Sequence, residues 1–305
     1  MKTLLQLNTI FLSMVMEAIP FILVGVLISG LIQTFVTERW IARLMPRNRI
    51  VSSLFGCGIG VFFPSCECGI VPITKRLMNK GVPLNAGIAF MLTGPVINPI
   101  VLFSTYVAFG NDWNVVAIRA GMAVAVAFLV SVIVGFLFPD LPLRQPKAQL
   151  EAAAAIEPGY MPEPAARRPV GTQIADVFRH AIDEFFSVGK YLVFGAFIAA
   201  SMQTFIPTSS LLHLGNNEIT ASLVMLGLAF TMSLCSEADA FIASSFRSTF
   251  SMGALSAFLV YGPMIDIKNT LMLMAAFKGK FVAVLIALVT VFTLIGSLIV
   301  GRLVG

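Results

Sequence analysis

The sequence predicts an all-α membrane protein of about eight transmembrane helices, arranged as two tandem repeats with broken or kinked helices near the midplane. The 305-residue chain is 58% hydrophobic and only 11% charged, whereas a soluble domain is about a quarter charged. Apolar runs of the roughly 20 residues that a helix needs to cross a bilayer recur along nearly the whole chain. Lipid offers no partners to backbone polar groups, so these spans must be helical.

Short charged patches separate the apolar runs and define the expected spans. In the first half the spans are expected at 8–36, 50–73, 83–109 and 115–138. In the second half they are expected at 185–205, 219–246, 252–277 and 281–300. Between these groups Pro, Ala, Glu and Arg replace the apolar residues, which is typical of a flexible hydrophilic linker. The chain therefore divides into a first membrane repeat (1–138), a linker (139–177) and a second membrane repeat (178–305).

Three of the spans contain more Gly and Pro than a straight helix tolerates. The span at 50–73 holds four glycines and two prolines, and those at 83–109 and 252–277 each contain a Gly-Pro pair. We therefore expect helix breaks or kinks at Pro64, Pro72, Gly94, Pro95, Pro99, Gly262 and Pro263.

The two halves of the chain resemble each other at a nearly constant spacing. Ser65-Cys66-Glu67 matches Cys235-Ser236-Glu237 at an offset of 170 (237 − 67), and Gly94-Pro95 with Asn98 matches Gly262-Pro263 with Asp266 at 168 (266 − 98). Repeats with interrupted spans at matching positions are typical of secondary transporters, whose substrate sites form between the repeats. Four full spans per repeat would make the halves parallel, and one re-entrant segment in each would make them inverted. The sequence leaves both arrangements open.

The formal charge of +5 comes from loops rich in Lys and Arg, which is the usual orientation signal of a multi-pass protein rather than a sign of nucleic-acid binding. With eight full spans, one face collects both termini, the linker and most basic residues. The positive-inside rule makes that face cytoplasmic, although a segment that does not fully cross would move the arginine patch at 39–49. The first apolar run is too long for a signal peptide and no cleavage pattern follows it, so we expect no removed segment.

The most unusual stretch places two thiols and a carboxyl group inside an apolar segment. On a regular helix Cys66 and Cys68 would face opposite ways, but the surrounding Pro and Gly favour an extended stretch on which both share a face. Two such thiols suit one soft ligand, such as Zn(II), Cu(I) or a trivalent arsenical. The spacing is not that of a zinc site, and buried Cys is often a small hydrophobe, which is how we interpret Cys57.

The acids of the two motifs are the strongest functional candidates. Glu67 and Glu237 lie inside apolar runs, where an acid persists mainly if it faces a cavity, a partner or a proton pathway. Asp266 and Lys268 are equally well explained as a structural ion pair. The expected substrate-binding residues are Cys66, Glu67, Cys68, Asn98, Cys235, Ser236, Glu237, Asp239 and Asp266, with Cys66 and Cys68 as the metal-binding candidates.

The other ionisable residues have simpler interpretations. Lys190 and Arg119 are expected to extend their charged groups toward a membrane interface, and the position of Glu17 relative to its span end is uncertain. His180 and His213 fall outside the midplane regions. The sequence has no Walker loop, dinucleotide motif or HExxH, so it supports neither ATP-driven pumping nor zinc-protease chemistry, and we expect no cofactor.

Two motifs resemble a known family. Pro64-Ser65-Cys66-Glu67-Cys68-Gly69-Ile70-Val71-Pro72, then Gly94-Pro95-Val96-Ile97-Asn98-Pro99, together with the second-half Cys235-Ser236-Glu237-Ala238-Asp239-Ala240-Phe241, are similar to signatures of the bacterial predicted-permease family that includes the ArsP organoarsenical efflux permeases. The resemblance covers essentially the whole chain. It implies an eight-span plasma-membrane permease, with export of trivalent organoarsenicals as the activity of some relatives. The Cys-Glu-Cys form resembles a branch of which some members form half of a two-protein system.

Together these observations predict a multi-pass permease of the bacterial plasma membrane that exports a small thiophilic, metal or metalloid substrate, with proton coupling as an option. Its expected partners are the lipid bilayer, the substrate and a second permease subunit, without nucleic acid. The alternatives are an intramembrane thiol-dependent enzyme, which lacks a base such as His beside its Cys motif, and a membrane subunit of a two-component permease.

Overall fold

The structure is a computed structural model that describes residues 2–35, 45–46, 48–62, 66–143, 170–205 and 217–304. In these ranges the regular secondary structure is helical, and Leu143 and Phe277 form an isolated β-bridge. The all-helical class is therefore confirmed. Pro64, His213 and most of the linker (144–169) lie outside the described residues.

Six helices are described in each half of the chain, and they follow the same order. The first half contains α1 (Lys2–Phe35), α2 (Arg49–Phe62), α3 (Glu67–Asn79), α4 (Leu84–Ile97), α5 (Pro99–Ala108) and α6 (Trp113–Leu137). The second half contains α7 (Val170–Phe205), α8 (Glu218–Met232), α9 (Ser236–Ser245), α10 (Met252–Met264), α11 (Ile267–Ala276) and α12 (Gly279–Val304). Each half thus has a long helix, four short helices and a second long helix. The helix α7 begins inside the range assigned to the linker.

Five described segments are long and apolar enough to cross a membrane. They are Thr3–Ile32, Leu84–Ala108, Trp113–Leu137, Val177–Phe205 and Gly279–Val304. These segments establish a membrane protein with several spans, whereas the count of eight is not confirmed. Where the sequence predicts single spans at 50–73 and 219–246, the structure has the pairs of short helices α2–α3 and α8–α9.

The helices α2 and α3 form a hairpin that begins and ends on one face of the protein. At the start of α4, Asn85 Nδ2 donates a hydrogen bond to the carbonyl of Arg49, the first residue of α2. Gly87, two residues further on, packs against Met78 at the end of α3. The start of α2 and the end of α3 therefore both lie beside the start of α4. Arg49 Nη1 also donates to Gly135 O at 2.8 Å, which brings the end of α6 to the same face.

The helices α8 and α9 form the matching hairpin on the opposite face. Glu218, at the start of α8, lies beside Gly301 near the end of α12. After the end of α9, Arg247 donates to Phe109 O at 3.3 Å and lies 3.7 Å from Asp112, in the turn between α5 and α6. Since α6 begins at that turn and ends beside Arg49, the two hairpins enter the protein from opposite faces.

Corresponding long helices of the two halves pack against each other in opposite directions. In the α1–α7 pair, Gly30 contacts Val177 while Phe11 stacks edge-on against Phe197. In the α6–α12 pair, Met122 contacts Gly296 and Phe138 stacks on Phe281. One residue number rises as the other falls in both pairs, so each pair is antiparallel. If the halves are duplicates, as the sequence predicts, this geometry is that of an inverted pair.

This geometry places the chain termini and the linker on opposite faces. The end of α6 and the start of α7 lie on what we call the linker face, and α1 begins and α12 ends on the terminal face. The expectation that both termini share a face with the linker was therefore wrong, because neither hairpin crosses the protein. The described basic residues Arg49, Lys75, Arg76, Lys80, Lys278 and Lys280 lie toward the linker face.

Two breaks interrupt the helices that pass through the centre, a few residues after the expected Gly-Pro positions. Gly94 and Pro95 lie inside α4, and the chain breaks at Asn98 with Pro99 opening α5. Gly262 and Pro263 likewise lie inside α10, which is followed by the break at 265–266. Pro72 also lies within a helix, α3, and does not end it. An interior proline removes one backbone donor and kinks a helix, but a membrane helix can continue past it because neighbouring groups satisfy the freed carbonyl.

The core of the protein is built on α4 and α10, which are buried along essentially their whole length. Close backbone contacts attach the outer helices to this core. A Cβ atom built on Gly25 of α1 would lie 2.7 Å from Gly69 Cα of α3, which shows that glycine is needed there. Such small-residue contacts replace the hydrophobic effect as the main packing force between helices in lipid.

We predict that Gly25→Val destabilises the protein by about 2 kcal/mol, because the new side chain must displace the backbone of α3. The measurement is thermal unfolding of the purified protein in detergent. Gly121→Val is the matched control, since this helical glycine is exposed and a Cβ there meets nothing within 4 Å. An unchanged melting temperature for Gly25→Val would contradict the packing.

We also predict that the chain termini face outward and the linker faces the cytoplasm, because the positive-inside rule acts on the basic linker face. Epitope tags inserted after Gly159 and after Gly305 test this in intact spheroplasts. The tag after Gly305 should bind antibody directly, and the tag after Gly159 only after permeabilisation. Equal accessibility of the two tags would instead favour eight full spans.

Candidate functional site

The tips of the two hairpins and the two helix breaks meet at a cavity in the centre of the protein. The cavity holds about 570 Å³ of empty space, including its open mouth. It is lined by Met14, Glu17, Ala18, Phe21, Cys66, Glu67, Cys68, Asn98, Ile100, Cys235, Ser236, Glu237 and Lys268. Seven of the nine expected substrate-binding residues are in this list; Asp239 and Asp266 lie behind the wall.

Four helices begin at this cavity, and polar residues stand at each of their N-termini. Asn98 Oδ1 accepts from Val101 N at 2.9 Å, and Asp266 Oδ1 accepts from Asn269 N at 2.5 Å. Cys235 Sγ accepts from Ala238 N at 3.4 Å, and Cys66 precedes α3 without a side-chain cap. Helix N-termini carry partial positive charge, so their convergence lowers the cost of the acids nearby.

The matched acids of the two hairpins occupy different environments. Glu67 is only 4% exposed, and its Oε1 atom has no hydrogen-bond partner among the described residues. Its charged neighbours are Asp266, Lys268 and Asp239. Glu237 is half-buried and lies near Glu17 at the mouth of the cavity. The inner acid therefore faces a closed network, and the outer acid faces the opening.

An ion pair supports the inner acid. Lys268 Nζ lies 3.7 Å from Asp266 Oδ2, and both side chains are buried. Ser233, at the end of α8, holds the same region by accepting a hydrogen bond from Ile267 N at 3.1 Å. At the matching positions of the first half the sequence has the uncharged Asn98 and Ile100. The charge arrangement of the cavity is thus asymmetric.

The thiols of Cys66 and Cys68 interact with each other and line the same cavity, although only Cys66 has the expected extended backbone. Cys66 precedes the helix with extended backbone angles and is half-buried, whereas Cys68 is buried in the first turn. Cys235 is also half-buried and lies on the opposite hairpin in the same cavity. Across the described part of the chain, no three His, Cys, Asp or Glu side chains are grouped closely enough to hold a metal ion. Cys57 is packed in the apolar core, as expected.

Arg119 is a residue whose importance the sequence did not reveal. It was expected to extend to the interface, but it is fully buried in α6 and connects the two halves. Its guanidinium donates to Thr105 Oγ1 at 2.6 Å and to Ser236 O, at the tip of the second hairpin, at 3.0 Å. Asp239 is its acidic neighbour. The sequence did carry one signal of this role: Arg119 lies in a span with no acid four residues away on its own helix. Such a charge needs a partner elsewhere in the fold.

One protein-family model and two relatives match the chain over nearly its whole length. The family model ArsP_1, described as a predicted permease, matches residues 3–302. The UPF0718 protein YcgR of Bacillus subtilis is 58% identical over 302 residues, which cover 98% of each chain. A Streptococcus mutans protein named as a two-component membrane permease complex subunit is 42% identical over 300 residues, covering 98% of this chain and 96% of the relative. No solved structure matches the chain.

We predict that a thiol-specific methanethiosulfonate reagent labels Cys66 and Cys235 about tenfold faster than Cys57, since reaction requires an accessible thiolate. Mass spectrometry of the detergent-purified protein after timed labelling measures the three rates. Cys57 is the internal control because it is equally intramembrane but buried in the core. Equal rates for all three thiols would contradict the placement of the cavity.

Proposed function

The chain belongs to this predicted-permease family, and from that premise we propose that it is a secondary transporter of the bacterial plasma membrane. The observation that carries the proposal is the central cavity, which both hairpin tips and both helix breaks line. Transporters bind substrate near the midplane between repeats with discontinuous helices. The permeases in the comparison favour transport over an enzymatic function.

The two halves act as inverted repeats of a duplicated unit. Support comes from the matched motifs at offsets of 170 and 168, the matched order of helices and the antiparallel pairing of α1 with α7. Each repeat contributes one hairpin and one broken span, and α10–α11 forms the counterpart of the span Leu84–Ala108. In an inverted pair, each repeat can adopt the conformation that the other now has. Rocking one repeat against the other in this way opens the site to the other face.

The present arrangement opens the cavity to the terminal face. Apart from the hairpin tips and Lys268, its lining comes from the N-terminal half of α1 and the start of α5, which runs toward that face. On the other side, Gly25 packs on Gly69 and Gly195 packs on Lys268, which closes the route to the linker face. Gly25 and Gly195 are equivalent positions in the two repeats, but their partners Gly69 and Lys268 are not equivalent. In the state open to the linker face, each glycine contacts the residue equivalent to the present partner of the other.

The substrate is a small thiophilic species, with organoarsenicals and soft metal ions as the leading candidates. The proposal rests on two interacting thiols on one hairpin and a third on the other, facing the same space. Soft thiolate ligands select soft metals and metalloids. Because the described residues hold no preformed three-ligand metal group, the thiols bind a passing substrate rather than a resident metal ion.

Export is coupled to proton movement through the two motif acids. Glu67 faces a network that includes Lys268, whereas Glu237 faces the mouth of the cavity. An intramembrane carboxyl group alternately exposed to each face is a common proton relay.

The chain acts together with a second subunit, as the name of the Streptococcus mutans relative indicates for that protein.

We predict that Glu67→Gln and Glu237→Gln each reduce proton-driven efflux at least tenfold, because neither amide can carry a proton. The measurement is substrate accumulation in everted vesicles under an imposed pH gradient, normalised to the amount of inserted protein. Glu218→Gln is the control, since this exposed acid lies on the terminal face. Wild-type efflux in both motif variants would exclude the proton-coupling mechanism.

We predict that a deletion strain is sensitive to one or more of arsenite, methylarsenite, zinc and copper, and that the wild-type gene restores growth. Cys66→Ser and Cys68→Ser should each fail to restore it, because a hydroxyl is a poor ligand for soft ions. Cys57→Ser serves as the control and should complement fully. Full complementation by all three variants would exclude a thiol-bound substrate.

A further inference from the structure

The outer surface of α1 and α7 has a long apolar groove that the proposed transport site does not use. The groove follows the seam between the two antiparallel helices and holds about 1240 Å³ of empty space, counting its open side. Its α7 wall is formed by Phe186, Lys190, Phe194 and Phe197, which are spaced as one face of a helix, and its α1 wall includes Phe11 and Ile19. The phenylalanines of α7 are largely exposed.

A lysine stands in this groove at the middle of the span. In the span Val177–Phe205, Lys190 lies 13 residues from one end and 15 from the other. At about 1.5 Å per residue, roughly 20 Å of helix separates it from either end. A lysine side chain is far shorter than that distance, and this position argues against the expected extension to the membrane interface.

Among the side chains that the structure describes, no acidic group is paired with Lys190. Its side chain is exposed, and its recorded contact is with the neighbouring Tyr191 ring, 5.2 Å from the ring centroid. The lining of the groove contains no Asp or Glu. An ammonium group facing lipid at the midplane is unfavourable unless a carboxylate or a polar cavity meets it. Glu17 does not serve, since it lines the central cavity from another face of α1.

We propose that this groove is the docking site for a transmembrane helix of the second permease subunit, and that this helix carries an Asp or Glu at mid-depth to pair with Lys190. The apolar walls supply the packing surface, and the lysine selects the partner by charge complementarity. Gly189 provides space for close approach, because a Cβ built there meets nothing within 4 Å. The second subunit itself rests on the proposed function, whereas the preference of the groove for a carboxylate can be tested independently.

A second copy of this chain does not fit the groove as well. A twofold-symmetric contact at this surface applies the same patch of both copies to each other, and residues at the centre of the patch meet their own equivalents. The two Lys190 side chains would then approach each other at the midplane, with no acidic residue in the lining to separate them. Charge repulsion therefore opposes a homodimer at this surface and favours a different partner.

Reconstituted vesicles provide the direct test, with model helices as the probe. The full chain carries a photo-crosslinking phenylalanine analogue at position 194, and three Leu/Ala peptides of about 23 residues differ only in a central Glu, Gln or Lys. We expect about fivefold more crosslinking to the Glu peptide than to the Lys peptide, with Gln between them. The same analogue at Val291, at mid-depth on the exposed face of α12, should show no preference.

Two substitutions of the lysine complete the test. Lys190→Leu, which inserts at least as readily as the native chain, should abolish the preference for the Glu peptide, and Lys190→Arg should retain it. Equal crosslinking of all three peptides would overturn the proposal, as would crosslinking of the chain mainly to a second copy of itself. Glu67→Gln, introduced into the same protein, should leave the crosslinking unchanged, so that a failure of transport is distinguishable from a failure of docking.

Discussion

The structure depends on one constraint: a helix that ends inside the membrane must end inside protein, because lipid cannot satisfy its free backbone groups. Eight of the described helices end near the centre, at two hairpin tips and two breaks. Asn98, Asp266 and Cys235 accept backbone donors at three of these ends. Bringing all the ends together lets α4 and α10 shield them, and it concentrates polar groups in one place.

That concentration explains why the acids and thiols can exist at this depth. A helix N-terminus attracts negative charge, and four of them surround Glu67 and its neighbours. Two buried cations, Lys268 and Arg119, supply further compensation from the second break and from α6. On the proposed duplication these cations have no charged equivalents in the other half, so the charge distribution of the cavity is asymmetric. Unequal roles for Glu67 and Glu237 follow from that difference.

The all-helical class and the matched motifs could be predicted from the sequence because they depend on local hydropathy and on pattern. The motif residues that line the cavity could be found in the same way, since an acid such as Glu67 inside an apolar run is visible without coordinates. Hairpins could not be distinguished from kinked spans, because the apolar run at 50–73 is long enough for either. Arg119 and Lys190 look alike in sequence, and only tertiary packing separates the buried residue from the exposed one.

The antiparallel pairing of α1 with α7 also bears on how such a protein arises and is inserted. Each half begins on one face and ends on the other, so the linker joins the halves without crossing the membrane. On the proposed duplication, tandem fusion of one gene would place the second copy upside down with no change in its own sequence. A separately encoded half could build the same cavity only by inserting in both orientations. The arginine patch before α2 biases insertion toward one orientation. A fused chain can carry such a patch, because each of its halves needs only one orientation.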